Sequence, residues 1–307
     1  MRIVFMGTPE FAVPSLKRLV EDGHEICGVF TQPDKRRSRM KVSFSPVKEY
    51  ALSQNLSVWQ PERVRDEASL ETLRRLRPEL IVVAAYGQIL SEEVLAVPAL
   101  GCVNVHASLL PRYRGAAPIN WAILNGDKET GVTIMYMAKR LDVGDIITAA
   151  RTQIGDGENA ASLYERLAAL GASLLGDTLE SLRLGTARRT PQNESLATYA
   201  PMLSRELSPI DWNKDAQTIR RQVLGLVPWP CAATVLCGKS AKILTVLPNG
   251  RTADTPGTLR AAKGGIEAAC GDGESLLITL LQPEGGKQMS AAAWLNGKRI
   301  SPGELLT

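Results

Sequence analysis

Apolar and polar positions come in alternating blocks along the first half of the chain. Residues 2–6 (R-I-V-F-M) and 26–30 (I-C-G-V-F) are short apolar runs and predict strands. Between them a turn at Gly7-Thr8-Pro9 leads into a helix over 14–21. Leu70, Leu73 and Leu76 fall at helical spacing within 66–77. The run 79–85 (E-L-I-V-V-A-A) is continuously apolar and ends in Tyr86-Gly87, the pattern of a parallel strand buried on both faces. Three more strands are expected at 101–105, 131–137 and 146–153, and the Ala- and Leu-rich stretch 160–184 suits a long closing helix. This strand–helix alternation predicts an open, mostly parallel α/β sheet with right-handed crossovers.

The pattern then changes. Residues 186–209 are polar, contain three prolines and read as a linker. A helix is expected from Ala216 to Leu224, followed by short β-like runs at 233–237, 242–247, 266–270 and 275–281 between glycine-rich turns. Such closely spaced short strands suggest a small β-barrel or a sandwich. The expected division is a first domain at 1–185, a linker at 186–209 and a second domain at 210–307, which suits a chain of 307 residues.

Composition narrows the classes. A hydrophobic content of 44% can fill sizeable cores, while 5% aromatics argues against an aromatic stacking surface for single strands. No apolar run approaches the ~20 residues that span a bilayer, and the opening M-R-I-V-F-M-G reads as a strand, not as an export signal. Five scattered cysteines without C-x-x-C spacing signal neither a zinc site nor a disulfide framework, so reduced thiols in a cytoplasmic protein are expected. The formal charge of +4 arises wholly in the second part. Residues 1–185 carry 22 basic and 22 acidic side chains, and residues 186–307 carry 14 and 10.

The residues richest in chemistry lie at 104–119, N-V-H-A-S-L-L-P-R-Y-R-G-A-A-P-I, directly after the strand at 101–105. Ligand sites in open α/β sheets lie beyond the carboxyl ends of strands. Asn104 and His106 are two apart, so a persisting strand points an amide and an imidazole the same way. The loop after them is bounded by prolines and a glycine and is cationic in its middle. His24, the other histidine, lies in an E-D-G-H-E turn and is read as structural. In L-D-V-G-D at 141–145, Asp142 and Asp145 flank a glycine; this is either a plain turn or a source of a functional carboxylate. No cluster of hard ligands accompanies them, so no metal is expected. The segment D-K-R-R-S-R-M-K at 34–41 is either a solvated loop or a basic arm for a polyanion. The first turn, G-T-P-E-F-A at 7–12, is not G-x-G-x-x-G, and no dinucleotide cofactor is expected.

Together these motifs resemble the methionyl-tRNA formyltransferases over nearly the whole length. The matching pieces include F-M-G-T-P-E-F at 5–11, T-Q-P-D at 31–34, S-P-V-K at 45–48 and V-V-A-A-Y-G-Q-I-L at 82–90. G-V-T-I-M at 131–135, I-D-W at 210–212, P-W-P at 228–230 and P-G-T-L at 256–259 also fit. N-x-H-x-S-L-L-P followed by R-G-A-A-P-I is the most specific, whereas the N-x-H core alone is shared with glycinamide ribonucleotide and sugar-nucleotide formyltransferases. Where the family commonly reads M-D-x-G-L-D-T-G-D, this chain reads M-A-K-R-L-D-V-G-D.

The resemblance implies a Rossmann-like catalytic domain followed by an OB-like C-terminal β-barrel. It implies 10-formyltetrahydrofolate as donor, methionyl initiator tRNA as acceptor, and no metal. Asn104, His106 and Asp142 fall on the family's catalytic positions, and Ser108, Leu109, Leu110 and Pro111 on its folate-contacting loop. Gln88, Ile89 and Leu90, which also follow a predicted parallel strand, are expected to line the other wall of the folate crevice. Lys35, Arg36, Arg37, Arg39 and Lys41 fall on a loop that engages the acceptor end of the tRNA. Because a tRNA is long, the basic second part is expected to hold its body through cations such as Arg220, Arg221, Lys239 and Lys242. A monomer is expected.

Overall fold

The computed structural model describes residues 1–36 and 42–296. It divides into two compact units. One comprises Met1–Pro118, Glu129–Gln153 and Tyr164–Ala200; the other comprises Ile119–Lys128, Ile154–Leu163 and the chain from Pro201 onward. The expected linker, 186–209, is therefore shared between the units.

The first unit is built on a seven-stranded sheet. From one edge to the other the strands are Ile146–Gln153, Glu129–Tyr136, Cys102–His106, Leu80–Ala84, Arg2–Gly7, Glu25–Phe30 and Val58–Trp59. Pairings are parallel from Val58–Trp59 through to Cys102–His106, and the last two strands join antiparallel. The apolar run predicted at 79–85 is the strand Leu80–Ala84, buried along its whole length. Periodic leucines place Leu70 and Leu73 of the helix Glu67–Leu76 in the core, beside Val4, Met6, Phe30 and Ile81. The strand order reverses beside Arg2–Gly7, which the chain leaves first on one side and later rejoins on the other through Leu80–Ala84. Crevices for ligands form at such reversals, beyond the carboxyl ends of the strands.

The turn after Leu80–Ala84 has left-handed backbone at Ala85 (φ 45°) and Gly87 (φ 83°). It is tied down by Thr8 Oγ1 and Gln32 Nε2, which both donate to the Tyr86 carbonyl at 3.2 Å. The basic segment begins and ends in a short antiparallel ladder, in which Lys35 and Arg36 pair with Ser43 and Val42. At its base Lys48 Nζ donates to Asp34 and to Gln60, and the ammonium lies 4.0 Å from the centre of the Phe44 ring. Arg37, Arg39 and Lys41 lie outside the described residues.

The second unit is antiparallel. Its sheet runs in the order Ala232–Leu236, Lys239–Arg251, Glu274–Pro283, Gly265–Ala269 and Leu259–Ala262, and Met289–Ser290 pairs with Glu274–Pro283. The sequence pattern marks four of these six strands. Leu259–Ala262 and Met289–Ser290 are too short to show alternation. Trp212, Ile219, Val223, Ile243, Ile266, Ile278 and Trp294 share the core of this unit. The helix Ala216–Leu226 begins on Asp215, whose carboxylate accepts from Thr218 N at 2.8 Å. Near its end, a side chain at Gly225 would press on Leu124 Cγ at 2.8 Å, so glycine permits the close approach. Among the described residues, no helix is long and apolar enough to cross a membrane.

Candidate active site

The strand Cys102–His106 persists through the histidine, so Asn104 and His106 do share a face. His106 is 6% exposed. Its Nε2 lies 3.0 Å from the Tyr113 carbonyl oxygen. A carbonyl only accepts, so the ring places a proton on Nε2. Nδ1 then faces the carboxylate of Asp142, with Oδ2 at 3.8 Å. That is ion-pair distance, longer than a hydrogen bond. Among the described residues the Asn104 side-chain amide has no hydrogen-bond partner, and it is partly open to solvent. An uncommitted donor thus stands beside an oriented imidazole.

Asp142 owes its place to an unusual backbone. Its φ is 52°, in the left-handed region that a non-glycine residue enters only at a cost. Its Oδ2 accepts from Gly115 N at 2.8 Å. Gly115 itself has φ 117°, and a side chain there would meet the Ala200 carbonyl oxygen at 2.8 Å. Gly144, two residues on from Asp142, lies so close against the Tyr136 carbonyl that no Cβ fits. Asp145 contributes through its backbone, its carbonyl accepting from Tyr136 N at 2.9 Å. Of the two carboxylates flanking the glycine, Asp142 is the one paired with the histidine.

The loop after His106 is held from within. Ser108 Oγ donates to the Arg112 carbonyl at 2.6 Å, and Thr133 Oγ1 donates to the Ser108 carbonyl at 2.7 Å while accepting from Leu110 N at 3.1 Å. Of the two arginines that make the loop centre cationic, Arg112 is exposed, and Arg114 is not presented there. It is fully buried, and its guanidinium is bound to Gln192 Oε1 and to the Glu194 carboxylate. Those hydrogen bonds from Arg114 hold the Glu194 carboxyl below its usual range.

Gln192 and Glu194 are residues that sequence reasoning missed. They lie in the polar stretch 186–209, where neither periodicity nor spacing marks them. This stretch straps the site. Ile146 and Thr190 exchange backbone hydrogen bonds at 2.8 and 2.9 Å, and the Arg189 guanidinium lies 3.7 Å from the Tyr136 ring centre. Tyr199-Ala200 pairs in parallel with Arg114-Gly115, and Thr198 Oγ1 accepts from Tyr113 N at 2.9 Å.

The other expected site residues divide by environment. Gln88 spends its side chain on loop 61–64, accepting from Val64 N at 2.7 Å and donating to the Pro61 carbonyl at 3.0 Å. Ile89 is 72% exposed, whereas Leu90 is in the core. Ser108 and Leu110 are buried; Leu109 and Pro111 are partly open. In the second unit Lys239 and Lys242 are exposed. Arg220 is not: it is buried, and its Nη1 donates to Asp156 at 2.7 Å, so it is not presented to a phosphate. Arg221 is partly buried with its guanidinium over Gly126. Among the described residues no three His, Cys, Asp or Glu side chains converge as a metal site would require.

Comparison with known proteins bears on the family of the chain. Residues 1–179 match the family model "Formyl transferase", and residues 202–299 match "Formyl transferase, C-terminal domain". The chain is 49% identical over 309 residues to the methionyl-tRNA formyltransferase of Caldanaerobacter subterraneus subsp. tengcongensis, with 100% of each chain covered. It is 50% identical over 307 residues to that of Pelobacter propionicus, covering 99% of this chain and 95% of the other. Solved structures share the fold at low identity. The N-formyltransferase from Helicobacter canadensis, in complex with folinic acid and dTDP-3-aminofucose, aligns with a TM-score of 0.70 at 19% identity over 91% of this chain and 98% of that one. HypX from Aquifex aeolicus in complex with tetrahydrofolic acid aligns with a TM-score of 0.67 at 20% identity, covering 100% of this chain and 50% of HypX.

Proposed function

The chain belongs to the methionyl-tRNA formyltransferase family, and on that premise we propose that Asn104, His106 and Asp142 carry out the transfer. The reaction moves the formyl group of 10-formyltetrahydrofolate to the amino group of methionyl initiator tRNA, in support of translation initiation. The observation that carries the residue assignment is the His106 ring, held at Nε2 by the Tyr113 carbonyl, facing Asp142 at Nδ1, and sharing a strand face with Asn104, whose amide has no partner among the described residues.

The neutral amine attacks the formyl carbon, and negative charge develops on the formyl oxygen. Asn104 donates a hydrogen bond to that oxygen from its uncommitted amide. Because the Nε2 proton is spent on the Tyr113 carbonyl, the proton that His106 offers the developing oxyanion is carried on Nδ1, the nitrogen that faces Asp142. Asp142, fixed by Gly115 N, stabilises charge on the ring and helps pass the proton lost by the amine to the departing folate nitrogen. A C–N bond forms to the amine and the C–N bond to folate breaks, with no net change of protons.

Folate occupies the crevice beyond the parallel strands Leu80–Ala84 and Cys102–His106 in this reading. Exposed Ile89 and the partly open Leu109 and Pro111 offer apolar cover, while Gln88, Leu90, Ser108 and Leu110 shape the walls from behind. The segment 35–41 engages the tRNA near its charged end. The unit from Pro201 onward holds the tRNA body through exposed cations such as Lys239 and Lys242, while Arg220 is withdrawn. We take 1–185 as the catalytic domain and 210–307 as the tRNA-binding domain, working as a cytoplasmic monomer. One formylation assay tests the reading. Methionyl initiator tRNA should be formylated, methionyl elongator tRNA should react far more slowly, and an amino-sugar nucleotide should not react. Preference for the sugar nucleotide would overturn it.

A further inference from the structure

We infer that Gln192 is a positioning residue for Asp142, with Arg114 fixing the orientation of Gln192 in turn. The inference rests on the assignment of Asp142 to the catalytic group. Gln192 Nε2 donates to two backbone carbonyls of the carboxylate's turn, that of Asp142 at 2.9 Å and that of Gly144 at 2.8 Å. A primary amide has two N–H groups, and both are used. Its oxygen accepts from Arg114 Nε at 3.1 Å and Nη2 at 2.8 Å. Guanidinium groups only donate, so the amide cannot be flipped without facing donor to donor and acceptor to acceptor.

The turn needs this brace. Asp142 adopts left-handed backbone at φ 52°, a conformation that persists only where its surroundings over-determine it. Releasing the two carbonyls lets the turn relax and swings the carboxylate away from Gly115 N and from His106 Nδ1. Arg114 is suited to its part because it is fully buried and is held on its other side by Glu194. The chain of contacts Glu194–Arg114–Gln192–Asp142 links a segment outside the main sheet to the catalytic carboxylate. Gln192 acts on the direction in which Asp142 points, through the backbone of the turn and not through the reacting atoms.

Kinetics of the full-length enzyme with methionyl initiator tRNA test this. Gln192→Met keeps the volume and removes every polar contact. Displacing a catalytic group by about 1 Å costs on the order of 100-fold, so kcat should fall by about that factor. KM for folate and for tRNA should stay within about twofold, because no substrate-binding group is moved. Gln192→Glu keeps the acceptor for Arg114 but loses both donors to the turn, and should be as slow as the Met variant. The decisive measurement is the double variant with Asp142→Asn. If Gln192 works through the Asp142 carboxylate, Gln192→Met should add almost nothing to the defect of Asp142→Asn; a general structural role would multiply the two losses. Wild-type turnover in Gln192→Met, full activity in Gln192→Glu, or multiplicative losses in the double variant would each overturn the inference. Wild-type turnover in Asp142→Asn alone would instead remove the assignment of Asp142, so the two failures are distinguishable. Folate binding and circular dichroism of each variant separate loss of position from loss of fold.

Discussion

Arg114 and the pair Lys239 and Lys242 would count alike in a tally of charge, yet the structure uses them in opposite ways. Arg114 is fully buried and its guanidinium is committed to Gln192 and Glu194. Lys239 and Lys242 stand exposed on the strand Lys239–Arg251 of the second unit. Arg220 belongs with Arg114 although it lies in the basic part of the chain, because it is buried against Asp156. A cation that is buried and paired holds geometry and cannot release counterions from a phosphate backbone. An exposed cation can do so at little structural cost. Net charge therefore overstates the surface available to a nucleic acid, and understates how much charge is spent on holding the fold in place.

The sharpest test on the rigid side is His106→Ala. Formyl transfer should fall by about 100- to 1,000-fold, the range for losing one stabilising donor, while tRNA binding and thermal stability hold. Turnover above about a tenth of wild type would remove His106 from the chemistry. On the nucleic-acid side, replacing Lys35, Arg36, Arg37, Arg39 and Lys41 together by Ala should slow the reaction with tRNA. It should also lower the salt slope of tRNA binding by up to about 4, with folate affinity unchanged. Unaltered tRNA kinetics across several salt concentrations would show a solvated loop.

Arg220→Ala tests the boundary between the two classes. Losing a buried stem and its ion pair should cost about 1–3 kcal/mol of stability, read as a lower Tm, with the salt slope of tRNA binding unchanged. The double replacement of Lys239 and Lys242 by Ala should do the reverse, leaving Tm in place and lowering the slope by about 1 to 2. An exchange of these outcomes would dissolve the distinction drawn between them.

The smallest effect concerns the clamp at the base of the basic segment. Burial alone would raise the Asp34 carboxyl, but hydrogen bonds from Lys48 and Gln60, together with the Lys48 charge, hold it below its usual range. A depressed carboxyl contributes stability that is complete above its unfolded value, about 3.9, and is lost as pH falls through the lower folded value. The stability difference between wild type and Asp34→Asn should accordingly be constant near neutral pH and vanish in acid. A difference that survives strongly acidic conditions would show that the contribution of Asp34 does not depend on its charge.

Much of this was legible in the chain itself. Apolar runs set the strands of the first sheet, since a strand covered on both faces needs side chains of one kind throughout. The two-residue spacing of Asn104 and His106 put them on one face, since side chains alternate along a strand. The motifs after them carried the family. What the chain could not express was the company each polar residue keeps. Nothing in L-D-V-G-D separates Asp142 from Asp145; the left-handed turn and the amide of Gly115 do. Nothing in the polar stretch 186–209 marks Gln192, which lies 50 residues from the turn it braces. Periodicity reports which face of an element is buried, because burial acts on every residue of that face. A hydrogen bond between distant segments leaves no such repeat, so the orientation of the carboxylate and the commitment of Arg114 and Arg220 were decided only when the tertiary structure brought their partners within reach.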